Sequence, residues 1–175
     1  MDKPTCWVGF PQEDIGLKYS RFEELPVWQD AIELAVKIYE LTGRPAFNRQ
    51  YSLRDQLERA GVSVSNNIAE GFERGTTQEL LTFLYIARGS CGEVRSMLCL
   101  LERLPRFDNL KFEISDLKSR SEGVSRQLRA WAGSLQNSDI KGQRYLTDKS
   151  RGRAKEARER EEFLKELEEI RNRKP

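Results

Sequence analysis

Five residues in the middle of the chain have types and spacing suited to chemistry: Ser63, Asn67 and Glu70, then Ser90 and Glu93. Each group recurs at helical spacing, so each sits on one side of a helix. Hydroxyls, an amide and two carboxylates can hold a ligand or contact RNA. Glu70 and Glu93 can also be read as a general acid and base. That reading needs a nucleophile, a metal ligand or a phosphate loop nearby, and the sequence offers none. The chain has no histidine. This excludes the Ser-His-Asp triad, the Cys-His pair and the Glu-x-x-His di-iron site that helical bundles carry. A carboxylate-only magnesium or manganese site needs an Asp/Glu cluster that the spacing does not supply. The reading favoured by the residues is structural. Polar groups between helices must be paired, and these five can satisfy one another and nearby backbone groups.

A second set of candidates is cationic. Arg54, Arg59, Arg88 and Arg95 fall on the two central helices and can line a surface for phosphates, or sit as solvated or ion-paired arginines. Lys141, Arg144, Lys149, Arg151 and Arg153 form a locally basic run with one acid, Asp148, a net of +4. A basic run beside a folded core can grip RNA, and it can equally be a solubilising linker.

Four helices are needed to position these groups. The first is expected from Pro26, with Val27, Trp28, Ala31, Leu34, Ala35 and Ile38 as its seam, and Thr42-Gly43-Arg44-Pro45 as its stop. The second runs from a cap at Ser52, buries Leu53, Leu57, Ala60, Val64 and Ile68, and ends at a left-handed Gly71. Thr76 and Glu79 form a capping box for the third. There Leu80, Leu84, Ala87, Cys91, Val94, Leu98 and Leu101 alternate in steps of four and three, the seam of a bundle. Phe83, Ile86, Met97, Leu100 and Leu104 add a second apolar stripe, as expected of a central helix or one covered by another subunit. Pro105 closes it. The fourth follows a cap at Asp108 or Asn109, with Phe112, Leu117, Val124, Leu128, Trp131 and Leu135 inward. Short links favour an all-α fold, an antiparallel up-down four-helix bundle over residues 21–135. An irregular leader, residues 1–20, precedes it. A polar basic linker and a charged helix, residues 136–175, follow it, with Phe163, Leu164, Leu167 and Ile170 on one side of that helix.

Charged residues make up 33% of the 175-residue chain, and no run is long and apolar enough to cross a membrane. The start of the chain lacks a signal-peptide pattern, so a cytoplasmic protein is expected. Cys6, Cys91 and Cys99 lack metal spacing, and Cys91 and Cys99 are expected to be buried free thiols.

One set of residues carries a family resemblance. In the first helix it is Leu25, Val27-Trp28-Gln29, Ala31 and Tyr39. In the second it is Leu53, Gln56, Arg59-Ala60 and Ser63, followed by Asn67-Ile68-Ala69-Glu70-Gly71. In the third it is Phe83-Leu84, Ile86-Ala87, Gly89-Ser90 and Glu93. With these, from about Phe22 to Leu135, the chain resembles the 23S rRNA intervening-sequence proteins, a family similar to the accessory proteins of diversity-generating retroelements. The resemblance implies a four-helix bundle, a cyclic homopentamer, no known catalytic activity and no cofactor. It also implies partnership with RNA and a reverse transcriptase. The chain departs from the family pattern in its 40-residue tail and in Tyr51-Ser52, where Tyr-Gly is common. From Arg21 to Leu135 it carries 16 bases and 16 acids, whereas the retroelement proteins are basic.

Three classes therefore stay open. One is a non-catalytic oligomeric scaffold associated with RNA or a ribonucleoprotein, such as a reverse transcriptase complex. Another is a protein-only adaptor. The third is a histidine-free metal or carboxylate enzyme.

Overall fold

Pro26 opens the first helix, where its missing N–H costs nothing and its fixed φ suits the first turn. This helix, α1, is Pro26–Thr42; α2 is Tyr51–Glu73, α3 Thr77–Leu101 and α4 Lys111–Gln136. Short 3-10 segments at Phe22–Glu24, Pro45–Phe47 and Pro105–Leu110 lead into or join them. The computed structural model describes residues 19–137 and Phe163. The chain divides into two units, residues 1–142 and 143–175, and the four helices belong to the first. All but the last two residues of the expected leader, the basic run and the charged C-terminal helix lie outside the described residues. Phe163 alone of that extension is described, helical and exposed.

Each helix packs on the next, and α4 returns to α1, so the four form a square with little contact along its diagonals. Neighbours are antiparallel throughout. Thr42, at the end of α1, bonds Glu58 near the start of α2. Gly71 faces Leu80 and Phe83, at opposite ends of their helices. Ser121 donates to the Cys91 carbonyl, and Gln136 to Tyr85. Asp30 accepts from Gln127, while Glu33 meets Arg120. This is the up-down bundle expected from the short links.

The seam of α3 is buried at all seven positions. Each buried leucine there contributes about 1.5–3 kcal/mol. Its four-three spacing keeps one line of side chains facing inward for the whole helix. The core falls into two clusters. Val27, Ala31, Ile68, Phe72, Leu80, Leu84, Leu128 and Trp131 fill one end. Leu34, Ile38, Leu57, Val94, Leu98, Phe107, Ile114 and Leu117 fill the other. Phe47 and Phe107 pack as tilted rings, 4.8 Å between ring centres, in that second end. Burial pushes the Cys91 thiol up to about 11, against the pull of the Ser121 hydrogen bond and the nearby Arg95 charge. Cys99 is only half-buried, contrary to expectation. No helix among the described residues is long and apolar enough to cross a membrane.

Several boundaries differ from those read in the sequence. Gly71 does not end α2: no glycine among the described residues has positive φ, and α2 continues to Glu73. Gly71 is buried instead where α2 and α3 touch. An added Cβ would lie 2.7 Å from Phe83 Cβ and 3.2 Å from Leu80 Cδ1. Neither Ser52 nor Asp108 nor Asn109 caps a helix. α2 starts at Tyr51, with Gln50 at the cap position two residues before Ser52, and α4 starts only after the 3-10 segment that Pro105 opens. Phe112 is not inward but 84% exposed, and Ile114 takes the core position. Of the second α3 stripe, only Met97 is buried, while Ile86 and Leu100 are about half exposed. The Thr76 cap forms as expected, its hydroxyl accepting from Glu79 N–H at 3.2 Å and donating to the Glu79 carboxylate at 2.8 Å.

Two glycines of α2 should respond differently to alanine. Both substitutions gain about 1 kcal/mol of helix propensity. At Gly61 the new Cβ meets the flexible tip of Ile38 at 2.6 Å, which can rotate away. At Gly71 it meets the Phe83 stem, fixed to its backbone. Gly61→Ala should be near neutral, and Gly71→Ala should lose about 1–3 kcal/mol from overpacking, read by urea unfolding.

Candidate functional site

The outer surface of α2 carries an open groove of about 480 Å³, lined by Tyr39 of α1 and by Arg59, Val62, Ser63, Asn66, Asn67 and Glu70 of α2. Helical spacing explains the lining, because Arg59, Ser63, Asn67 and Glu70 follow one another around three turns. Within it, Asn67 Nδ2 donates to the Ser63 carbonyl at 2.6 Å and to Ser63 Oγ at 3.0 Å. Ser63 Oγ lies 2.9 Å from Ser90 Oγ, across the α2–α3 contact. Ser90 gives its one proton to the Ile86 carbonyl at 3.2 Å, so Ser63 must be the donor between the two hydroxyls. The result is a directed chain, Asn67 to Ser63 to Ser90 to the α3 backbone.

Three of the five central polar candidates are thus joined, and two are not. Glu70 turns to Arg74 at 2.7 Å, and Arg74 also approaches Glu79 at 3.8 Å and lies over the Phe83 ring. Arg74 is held above its ordinary pKa chiefly by the Glu70 hydrogen bond. Glu93 is exposed on the outer side of α3 and is not linked to the network. Glu70 and Glu93 therefore do not form a carboxylate pair bridged by the serines. Among the described residues, no three His, Cys, Asp or Glu side chains gather where they could hold a metal ion.

The arginines also separate into two kinds. Arg54 is committed to Glu58 at 2.8 Å, and the same carboxylate oxygen accepts from Thr42 at 2.6 Å. Arg59 pairs with Asp55 at 3.3 Å. Arg88 and Arg95 lie two turns apart on the α4 side of α3, and neither is ion-paired to a described residue. Arg129 of α4 joins them, although its spacing had not marked it out. Tyr85 is opposite Gln136 and Cys91 opposite Ser121, so the antiparallel register sets Arg88 level with Leu128 and Arg129. Arg129 lies two turns before Gln136 on the same side of α4. Only the pairing register brings it there, so a cue for it needs the fold. Lys141, Arg144, Lys149, Arg151 and Arg153 lie outside the described residues.

The network and the exposed carboxylates should separate in stability measurements. Ser63→Ala removes two side-chain hydrogen bonds from a half-buried contact and should cost about 1–2 kcal/mol. Glu70→Ala and Glu93→Ala should stay within about 0.5 kcal/mol, since an exposed ion pair contributes little. Chemical unfolding of the three variants beside the parent makes the comparison.

No curated protein matches the chain. Residues 23–130, which span α1 to most of α4, match the family model described as 23S rRNA-intervening sequence protein. That match takes in the Ser63–Asn67–Ser90 chain, the Gly71 contact and the α3 seam, and the chain belongs to the 23S rRNA-intervening sequence protein family.

Proposed function

We propose that this protein is a non-catalytic, oligomeric four-helix scaffold that associates with RNA or a ribonucleoprotein in the cytoplasm. The observation that carries the reading is the row of cations left unpaired on one edge, Arg88, Arg95 and Arg129. Cations already neutralised by a neighbouring carboxylate, such as Arg54 and Arg59, have less to offer a phosphate. An unpaired row along two antiparallel helices matches the spacing-tolerant contacts that proteins make with nucleic-acid backbones. The family's name supports the same direction, since it is taken from an insertion in ribosomal RNA. A ring of five copies would repeat the row, so that weak contacts act together. The basic run from Lys141 to Arg153, net +4, would add a second grip. A reverse transcriptase complex is the ribonucleoprotein that the resemblance suggests. The competing reading is a protein-only adaptor.

The test is fluorescence anisotropy with a structured RNA at low and moderate salt. The full chain should bind weakly and salt-dependently. Joint replacement of Arg88, Arg95 and Arg129 by alanine should flatten the salt slope by about one unit for each phosphate no longer neutralised. A chain ending at Gln136 should also weaken, because its four helices remain and the basic run does not. Arg54→Ala and Arg59→Ala should change little. Absence of binding by the full chain would leave the adaptor in place of the RNA reading.

A further inference from the structure

The cation row on the α3–α4 edge ends at an aromatic ring. Tyr85, Arg88, Gly92 and Arg95 recur at i, i+3, i+7 and i+10 on α3, about 15 Å of helix. Arg129, Gly133 and Gln136 recur at i, i+4 and i+7 on the facing side of α4. Tyr85 is 45% exposed, and Gln136 Nε2 donates to its hydroxyl oxygen at 2.8 Å. That bond crosses from α4 to α3. It holds the ring in one orientation and leaves the phenol O–H to donate elsewhere. Gly92 and Gly133 stand among the arginines, and a Cβ at either would meet nothing within 4 Å. The ground between the cations is therefore low and open.

Charge directs a polyanion to the same edge. α1 and α2 together carry three bases and seven acids, a net of −4. α3 and α4 carry seven bases and five acids, a net of +2. The groove on α2 thus belongs to the acidic side, and Arg88, Arg95 and Arg129 to the basic one. Two acids border the row, and both are taken, Glu122 by Arg126 at 4.0 Å and Glu102 by Lys118 at 2.7 Å. An extended polyanion laid along this edge meets cations from two helices, a held ring and a hydroxyl donor.

We propose that this edge binds single-stranded RNA, with one base stacked on Tyr85 and the neighbouring phosphates on Arg88, Arg129 and Arg95. The inference rests on the RNA reading above and names the form of RNA. A duplex keeps its bases paired and stacked inside, so it would offer the row only phosphates and leave the ring unused. An unpaired base has an open π-face, which an aromatic side chain takes whatever the sequence. Arg88 follows Tyr85 by less than one turn, and Arg129 is level with it across the helix pair. The strand leaving the stacked base therefore passes between cations of both helices. The Tyr85 O–H can donate to a phosphate or to a ribose 2′-hydroxyl of that strand.

The test uses the full-length chain, an RNA of about twelve nucleotides that does not self-pair, and the duplex it forms with its complement. Fluorescence anisotropy reads both. Tyr85→Leu should weaken binding of the single strand about tenfold and of the duplex less than about twofold. Tyr85→Phe keeps the ring and should stay within about threefold of the parent on both. The salt slope should be the same in Tyr85→Leu as in the parent, because stacking releases no counterions, whereas the triple arginine variant flattens it. Tyr85 is about half exposed, so helical circular dichroism and melting of both variants should match the parent. Should Tyr85→Leu melt early, Tyr85→Gln removes the ring and leaves a polar side chain suited to an exposed helix. Equal losses by single strand and duplex, or no loss by the single strand, would overturn the stacking and leave the RNA reading standing. So would a loss in Tyr85→Phe as large as that in Tyr85→Leu. A parent that binds neither RNA would remove the RNA reading itself.

Discussion

The bundle depends on the close approach of α2 and α3. α3 has one buried line of seven side chains and must cover it on α2 and α4 at once. Leucines alone would hold the helices too far apart for the line to be sealed along its length. Gly71 removes the Cβ where Phe83 and Leu80 press in, and Ser63 and Ser90 are small enough to meet hydroxyl to hydroxyl. Large side chains then fill the two ends, where the core clusters lie. Small residues at the contact and large ones at the ends are how a close-packed interior accommodates helices at short range.

That proximity gives the Ser63–Asn67–Ser90 chain its form. A hydroxyl pair between helices lies partly out of water, and an unpaired donor there would cost free energy. The chain of donors ends on the Ile86 carbonyl, so each serine hydroxyl donates its proton to a defined acceptor. It also ties the register of α2 to that of α3. Glu70, one turn further along α2, faces water and is neutralised by Arg74 instead. Glu70 and Glu93, each one turn beyond a residue of that chain, thus end up in water instead of between the helices.

The same register sorts the charges. Arg54 is clasped with Thr42 by Glu58, which couples the start of α2 to the end of α1. Lys118 reaches Glu102 and Arg120 reaches Glu33, so α4 is tied at its edges to both neighbours. Exposed pairs like these contribute little individually. Arg88, Arg95 and Arg129 remain unpaired on the α3–α4 edge, and the acidic excess lies on α1 and α2.

Hydrophobic period was sufficient to determine the four helices, their order and the α3 seam, because it acts over a few residues of the chain, and capping chemistry located two of the helix starts. The Thr76–Glu79 cap and the Pro26 start are of that kind, and both form. The residues of the Ser63–Asn67–Ser90 network were visible as a polar stripe beside the seam. Which of them join was not visible, because that depends on facing positions 27 residues apart. Gly71 reads equally well as a helix stop or as a close contact, and only the packing against Phe83 chose between them. Phe112 reads as a core residue by type, yet at helical spacing it lies about 140° around α4 from Leu117, so it faces solvent and Ile114 faces inward. Arg129 joins Arg88 only through the antiparallel pairing of α3 with α4. Local periodicity determines which face of a helix is apolar; what that face meets, and which charges are left over, is decided where helices distant in sequence pack together.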